Sequence, residues 1–182
     1  MTAVNYPRAE CGQCVLPAPA RRKRTRVIIG RVVTLHVLTL DDWPIWRAVR
    51  LAALTDAPHA FKVSLADWDR GGEDEWRARL ALPGAHNVVA FLDERPVGLA
   101  RGFAGEDGYE LRSVWVAPEA RGHGVADRLL AEVEAWAVRT GADALRLAVF
   151  PDNATAIALY ERRGYVPAGE AAGQTTMVKR LR

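Results

Sequence analysis

Residues 109–126 constrain the fold more than any other part of the chain. The first half of this stretch, residues 110–116, is rich in β-branched and aromatic side chains, which predicts a strand. Pro118 ends the strand, because proline has no N–H group to donate to a ladder. A turn that contains Gly122 and Gly124 comes next. The stretch therefore predicts a strand that ends in a glycine turn.

An amphipathic helix comes after the glycine turn. Its apolar residues recur at helical spacing, at Val125, Leu129, Val133, Trp136 and Ala137. The first turn of a helix has N–H groups without intrahelical acceptors and carries the positive end of the helix dipole. Glycines before it let the backbone approach an anion closely. A strand, a glycine turn and a helix in this order indicate phosphate binding, although Gly-x-Gly alone also suits an ordinary turn.

Two segments resemble the signatures of the GNAT N-acetyltransferase superfamily. Residues 121–126, Arg-Gly-His-Gly-Val-Ala, resemble its pyrophosphate loop, Arg/Gln-x-x-Gly-x-Gly/Ala. Residues 153–165 resemble its second signature, Asn-x-x-Ala-x-x-Leu-Tyr-x-x-x-Gly-Phe/Tyr. The two segments occur in the family's order, about 30 residues apart, and the resemblance covers roughly residues 31–182.

The pattern of apolar residues predicts elements in the order β-α-α-β-β-β-α-β-α-β-β. This order mixes hairpins with a crossover, so we expect a mixed sheet with helices on both faces. The resemblance implies an α/β fold of GNAT type: a central, mixed but largely antiparallel twisted sheet of six or seven strands, flanked by about four helices. The predicted strands are residues 31–38, 87–92, 96–103, 110–116, 144–150, 165–166 and 175–179.

The first predicted helix runs from about Trp43 to Leu54, with Asp41 or Asp42 as its cap. A second helical region comes next, in two pieces around residues 71–72. In the resembling family this region covers the acceptor site, so its aromatic residues include candidate pocket walls. The alternative, which we favour for most of them, is packing in the core. The apolar face of the first helix comprises Trp43, Trp46, Val49, Arg50 and Leu54. The aromatic residues considered as pocket walls are Trp43, Trp46, Phe61, Trp68 and Trp76.

Composition supports one globular domain. The chain has 182 residues, of which 49% are hydrophobic and 26% charged. No apolar run approaches the roughly 20 residues that a membrane span needs. No secretory signal is visible, and two cysteines cannot staple a fold of this size. We therefore expect a cytoplasmic protein with no membrane partner. The resemblance implies that residues 27–182 form the acetyltransferase domain, which leaves residues 1–26 as a tail.

The excess of positive charge in the chain lies in its N-terminal residues. Residues 1–30 hold six basic groups and one acid, whereas the chain as a whole has a net charge of +3. The composition of the tail indicates a solvated arm, with RNA or anionic lipid binding as a weaker alternative. The rest of the chain gives no general case for nucleic acid. Cys11 and Cys14 have metal or redox spacing, but no second Cys or His pair lies nearby, so we expect neither function and no metal.

The resemblance implies which residues hold acetyl-CoA, the cosubstrate. Backbone N–H groups of the loop would bind the pyrophosphate, with Arg121 or Arg128 adding charge. The N–H of Val114 would bind the thioester carbonyl oxygen, and the strand would pair with the pantetheine arm. That pairing requires a gap between this strand and the strand at residues 144–150. The expected set is Val114, Trp115, Val116, Arg121, Gly122, His123, Gly124, Val125, Ala126 and Asn153.

Two residues are candidates for proton transfer. Glu110 lies four residues before Val114, where several members of the family place a glutamate that acts as the base, directly or through water. A glutamate on a strand surface is the alternative. Tyr160 matches the family tyrosine near the sulfur and is the candidate acid, with core packing as its alternative. Asn153 is also a good helix N-cap, and both of its roles are compatible.

The sequence thus predicts an acetyl-CoA-dependent N-acetyltransferase that transfers the acetyl group directly to a primary amine of a small molecule. The alternatives are a protein N-terminus or lysine as acceptor, and a non-catalytic acyl-CoA sensor. The sequence argues against a serine hydrolase, because neither Ser64 nor Ser113 lies in Gly-x-Ser-x-Gly. Dimers are common in the superfamily, so a homodimer is a further expectation.

Overall fold

The computed structural model describes residues 32–182. The predictions for the tail, for Cys11 and Cys14 and for the start of the first strand at residue 31 lie outside the described residues. The described part forms seven strands: β1 Val33–Val37, β2 Ala85–Leu92, β3 Arg95–Gly105, β4 Gly108–Val116, β5 Ala144–Val149, β6 Val166–Ala171 and β7 Gln174–Arg180. Its α-helices are α1 Trp43–Asp56, α2 Leu65–Trp68, α3 Glu73–Leu80, α4 Val125–Arg139 and α5 Ala154–Arg162.

All seven strands join one sheet in the order β1-β2-β3-β4-β5-β7-β6. Every neighbouring pair is antiparallel except β4 and β5, which are parallel. A parallel pair needs a crossover connection, and here α4 supplies it. The expected mixed, largely antiparallel sheet of a GNAT-type fold is therefore confirmed.

The long helix α4 covers one face of the sheet. Its apolar side is buried at Val125, Leu129, Leu130, Val133 and Ala137. It approaches β3 so closely that a Cβ on Gly102 would lie 2.5 Å from the Trp136 ring. A glycine is required there by space, because a methyl group has no room between strand and helix.

The opposite face of the sheet carries α1, and two buried arginines, Arg50 and Arg101, lie on this side. Arg101 on β3 places its guanidinium 4.8 Å from the Trp46 ring of α1. It donates to the Asn87 side chain at 2.5 Å and to the Arg79 carbonyl at 2.9 Å, so it is buried but satisfied. Side chains alternate along a strand, so the residues of β4 that share this face are Glu110 and Arg112.

A buried carboxylate ties α4 to the end of the chain. Glu134 on α4 lies 2.5 Å from the Arg163 guanidinium and 2.9 Å from the Lys179 ammonium. Arg163 directly follows α5, and Lys179 belongs to β7. The contacts hold α5 against the sheet, which matters because α5 carries Tyr160.

Three local predictions are corrected by the structure. Asp42 occupies the N-cap of α1, but its carboxylate accepts from the N–H and hydroxyl of Thr39 instead of capping the helix. The predicted strands leave residues 93–95 for the turn between β2 and β3, but the turn is only two residues, Asp93 and Glu94, both with positive φ, because Arg95 already belongs to β3. The penultimate strand is longer than expected, because β6 is an exposed edge strand without apolar alternation and only its pairing with β7 reveals it.

Candidate active site

The parallel strands β4 and β5 separate along their length. They pair only at Tyr109 with Leu145 and at Glu110 with Arg146. Beyond these pairs the strands have no partner residues in each other, although both continue for several residues. The separation leaves an opening in the sheet with unpaired backbone groups on its edges. The gap that the resemblance requires for a pantetheine arm is therefore present.

A bulge deforms β4 at the same level. Leu99 pairs with Trp115 and Arg101 pairs with Arg112, so Ser113 and Val114 have no partner residue on β3. Ser113 has φ +56°, a conformation that a non-glycine residue adopts only when its surroundings impose it. Bulges of this kind redirect backbone groups next to active sites. Here the bulge includes Val114, the predicted oxyanion donor.

A cavity of about 790 Å³ lies between the separated strands and the helices around them. Its lining brings together four of the predicted site residues: Glu110, Val114, Asn153 and Tyr160. These residues come from β4, from α5 and from the cap of α5, so they meet only in the folded chain. The same cavity is bordered by Phe61 and Trp68, two of the aromatic residues considered as pocket walls, whereas Trp46 and Trp76 are core residues.

Glu110 faces the cavity as one member of an ion pair. Its carboxylate lies 2.5 Å from the Arg112 guanidinium, two residues along the same strand face. The Arg112 guanidinium in turn lies 4.4 Å from the Phe103 ring, which fixes its orientation. The pair keeps Glu110 directed along the strand, and a carboxylate in this position can accept a proton from an amine that enters the cavity.

Tyr160 is buried and protonated over the whole physiological range. Only 8% of its surface is exposed, and burial raises the pKa of its hydroxyl to about 12. The hydroxyl is therefore protonated at neutral pH and can donate a hydrogen bond, while the same burial makes it a weaker acid than an exposed tyrosine. Asn153 caps α5 by accepting from the Ala156 N–H at 3.1 Å, while it also lines the cavity, so its two expected roles are geometrically compatible.

The glycine loop takes the conformation that the sequence pattern predicts. Gly122 has φ +78° and Gly124 has φ +72°, and a Cβ at either position would meet nothing within 4 Å. Both glycines are therefore required by backbone conformation and not by crowding. The first backbone bond into α4 runs from the Arg128 N–H to the Gly124 carbonyl, so the N–H groups of the preceding turn are available to an anion.

The side chains of this loop are not directed into the cavity. Arg121 forms an ion pair with Asp56 at 2.6 Å and donates to the Val116 carbonyl, while Arg128 donates to the Val33 carbonyl. Trp115 is mostly buried and donates its indole N–H to Asp56. Asp56 thus joins the end of α1 to β4 and to the glycine loop.

The remaining loop residues contribute backbone more than side chain. His123 is exposed, and its Nδ1 lies 3.0 Å from the Arg121 carbonyl oxygen. The Val125 side chain is buried against β3, while its N–H begins α4. Trp115, Val116 and residues 121–126 do not line the cavity itself. They form the continuation of β4 and the start of α4, where the resemblance expects the rest of the cosubstrate.

Two buried polar residues of the cavity were not predicted as site residues. Arg50 is 4% exposed and Gln174 is 5% exposed, and both line the cavity. The sequence did contain a signal for Arg50, because a charged residue on the otherwise apolar face of a helix indicates a specific role. For Gln174 there was none, since its position depends on the β6–β7 hairpin.

Two kinds of feature are absent from residues 32–182. No helix in this part of the chain combines the length and the apolar character needed to cross a membrane. Within the same residues, no group of three or more His, Cys, Asp or Glu side chains is arranged to hold a metal ion.

Comparison with known proteins identifies the family. The model of the acetyltransferase (GNAT) family matches residues 46–165, which include both the bulged strand and the glycine loop. The chain belongs to the GNAT acetyltransferase family. The resemblance to this family that the sequence motifs indicated is thereby confirmed.

Individual relatives agree with this assignment. The mycothiol acetyltransferase of Brachybacterium faecium is 31% identical over 147 residues, which cover 75% of this chain and 43% of that protein. The chain thus spans less than half the length of this curated relative. Among solved structures, the PaiA N-acetyltransferase of Thermoplasma acidophilum in complex with coenzyme A has a TM-score of 0.68 at 17% identity, covering 82% of this chain and 99% of that one.

A third relative shows that the fold is also used for protein acceptors. The ribosomal-protein-S18-alanine N-acetyltransferase of Escherichia coli has a TM-score of 0.61 at 19% identity, covering 82% of this chain and 94% of that one. At this level of identity the likeness concerns the fold alone.

Proposed function

We propose that this protein transfers an acetyl group from acetyl-CoA directly to the primary amine of a small molecule. The observation that carries the proposal is the opening between β4 and β5. It is lined by the bulge at Ser113 and Val114, and β4 continues from this bulge towards the glycine loop before α4. An extended thiol arm fits such an opening as an additional strand, with its pyrophosphate at the helix N-terminus. The complexes of related structures with coenzyme A and acetyl-CoA support this interpretation.

The residues present divide the chemistry among themselves. Acetyl-CoA supplies the acetyl thioester. Glu110 takes a proton from the amine, either directly or through water, and the N–H of Val114 donates to the thioester oxygen as charge develops there. Tyr160 gives its proton to the sulfur as the C–N bond forms and the C–S bond breaks. The products are the N-acetyl amine and free coenzyme A, and the proton from the amine returns through solvent to Tyr160.

A small acceptor is supported by the cavity. Its volume of about 790 Å³ lies within the range of small-molecule sites, and aromatic side chains form part of its wall. Four cationic and two acidic side chains line it, which disfavours a polycationic acceptor. The name of the Brachybacterium relative also points to a small molecule. A protein N-terminus or lysine, and a non-catalytic acyl-CoA sensor, are the alternatives.

Calorimetric titration with acetyl-CoA tests the donor site. We expect saturable binding to the wild type and its loss in Gly124→Glu, since a carboxylate would repel the pyrophosphate at a backbone position that only glycine adopts easily. Gly141→Glu is the matched control, because Gly141 also has a positive φ and open space around it but lies at the other end of α4. Equal affinities in all three proteins would overturn the proposed donor site.

A panel of amines then tests the reaction itself. Release of free thiol that depends on a small amine supports the proposal. Acetylation of peptides with no small amine accepted would favour the protein acceptor. Tight binding of acetyl-CoA without turnover on any amine or peptide would favour the sensor.

A further inference from the structure

Arg50 on α1 is a buried cation without a hydrogen-bond acceptor. It is 4% exposed, and its Nε and Nη1 atoms donate to nothing in the described part of the chain. Buried charges are normally paired, since removing an ion from water without compensation is costly. Burial and the nearby Arg101 lower the pKa of Arg50 to about 10, so the guanidinium is still charged at neutral pH.

Two aromatic rings hold the Arg50 guanidinium in place. Its central carbon lies 4.6 Å from the ring centre of Phe61 and 4.6 Å from that of Trp68. Ring faces attract a cation and restrict its plane, but they offer no hydrogen-bond acceptor to its N–H groups. The side chain is therefore oriented while its donors remain free.

The neighbouring Arg101 shows that burial alone does not explain the missing acceptor. Arg101 is 8% exposed, and it donates to both Asn87 and the Arg79 carbonyl. The fold thus supplies acceptors for one buried arginine and none for the other. The difference between the two is that Arg50 lines the cavity of the active site and Arg101 does not.

The cavity wall contains a second buried group without a partner. Gln174 at the start of β7 is 5% exposed, and its Oε1 atom accepts from no donor in residues 32–182. Gln174 lies on the same face of the sheet as Glu110. Thr176, two residues after Gln174, pairs with Ala148, and Arg146, two residues before Ala148, pairs with Glu110. The Gln174 Oε1 atom can accept a hydrogen bond from an N–H group of a ligand, just as the Arg50 guanidinium can bind an anionic group of a ligand.

We propose that the acceptor is an amine that also carries a carboxylate, such as an amino acid or an amino acid derivative. The carboxylate of this acceptor pairs with Arg50 between Phe61 and Trp68. The Oε1 atom of Gln174 accepts a hydrogen bond from an N–H group of the same acceptor. The excess of cations in the cavity wall favours the same class of ligand. This inference rests on the proposed acetyltransferase function, for which it specifies the substrate class.

Matched acceptors test the carboxylate directly. We would compare kcat/KM for an amino acid, its carboxamide and its decarboxylated amine, using the phenylalanine, leucine and methionine series. The wild type should prefer the acid by about 10- to 100-fold, because the amide and the amine leave a buried cation unpaired. In Arg50→Met the preference should fall below about threefold, and Arg50→Lys should keep part of it.

Lys62→Met is the control for charge alone. Lys62 lines the same cavity but is exposed, so losing its charge should change the acid-to-amide ratio less than about threefold. A ratio that falls equally in Lys62→Met and Arg50→Met would show a general field effect and overturn the assignment to Arg50.

A binding measurement provides a readout independent of turnover. In the presence of coenzyme A, phenyllactate, which lacks the amine, should raise the melting temperature of the wild type more than its amide does. The free Arg50→Met protein should melt about 2–4 °C higher than the wild type, because an unpaired buried charge has been removed, and should lose the response to phenyllactate. If Arg50→Met does not fold, the ratio of kcat/KM for the acid to that for the amide is compared between the wild type and Arg50→Lys, and this comparison tests the role of Arg50.

The failures of the two proposals look different. If the wild type acetylates no amine, the acetyltransferase function fails. If it acetylates neutral amines as well as carboxylated ones, and Arg50→Met leaves that ratio unchanged, the substrate class is wrong while the function stands.

Discussion

The Tyr160 hydroxyl is buried in the cavity wall, where its raised pKa keeps it protonated. Replacing it with phenylalanine removes the proton donor and almost no volume. We expect Tyr160→Phe to lower kcat by about 100-fold, with acetyl-CoA affinity within about twofold of wild type. Steady-state kinetics and calorimetry measure the two quantities.

Tyr165→Phe is the matched control for this change. Tyr165 is also buried, and its ring packs against Tyr160 at 5.8 Å, but it does not line the cavity. Its kcat should stay within about twofold of wild type. A comparable loss of kcat in both variants would mean that Tyr160 acts through packing alone.

Glu110 is tested by replacing its carboxylate with an amide of the same shape. If Glu110 takes the proton from the amine, Glu110→Gln should lower kcat/KM by about 100-fold, because an amide cannot accept that proton. Asp107→Asn is the control, since Asp107 lines the same cavity from the β3–β4 turn. A loss of kcat/KM in Glu110→Gln that is no larger than the loss in Asp107→Asn would assign the base to another group or to solvent.

At the scale of single elements, the contact of β3 with α4 positions the glycine loop. A Cβ on Gly102 would lie 2.5 Å from Trp136, so Gly102→Ala must displace the helix or the ring. We expect the free energy of unfolding to fall by about 1–3 kcal/mol, as for other overpacked sites. Urea denaturation measures it.

Gly105→Ala, in the same strand, is the comparison for Gly102→Ala. Its Cβ would meet only the Phe103 ring at 3.0 Å, near the end of the strand, so a loss below about 1 kcal/mol is expected. Equal losses of unfolding free energy in the two variants would show that the effect comes from the strand backbone. They would contradict the assigned role of packing between Gly102 and α4.

At the scale of the whole molecule, buried tyrosines make stability depend on alkaline pH. The folded-state pKa of Tyr160 is about 12, above its ordinary value of 10.0. The unfolded chain therefore loses this proton first, so the contribution to stability is complete below pH 10 and is lost as the pH rises towards 12. Burial raises the pKa of Tyr165 in the same direction.

The buried arginines act in the opposite sense. Burial lowers the pKa of both Arg50 and Arg101 to about 10, so their cost to stability is relieved above that pH. A comparison of variants isolates the tyrosine. Between pH 9 and pH 11 the free energy of unfolding of Tyr160→Phe should gain about 1 kcal/mol relative to wild type. Urea denaturation across this range measures the difference, and parallel pH curves would contradict the assigned burial.

The glycine loop and the Asn153 signature could be predicted because they are local. The conformations at Gly122 and Gly124 and the N-cap at Asn153 are set by residues within a few positions of each other, and such short-range requirements appear as motifs. The alternation and helical periodicity likewise identified the elements. Only the start of β6 was predicted, because its exposed residues carry no apolar pattern.

The tertiary structure decided what the sequence could not express. The separation of β4 from β5, the bulge at Ser113 and the meeting of Glu110 with Tyr160 depend on pairing between strands and helices far apart in the chain. Arg50 makes the distinction clear. Its place on an apolar helix face is written in the sequence, but only packing shows that Phe61 and Trp68 enclose it and that no acceptor reaches it. Local pattern determines elements, because their forces act over a few residues, whereas the chemistry of a cavity depends on which distant groups burial brings together.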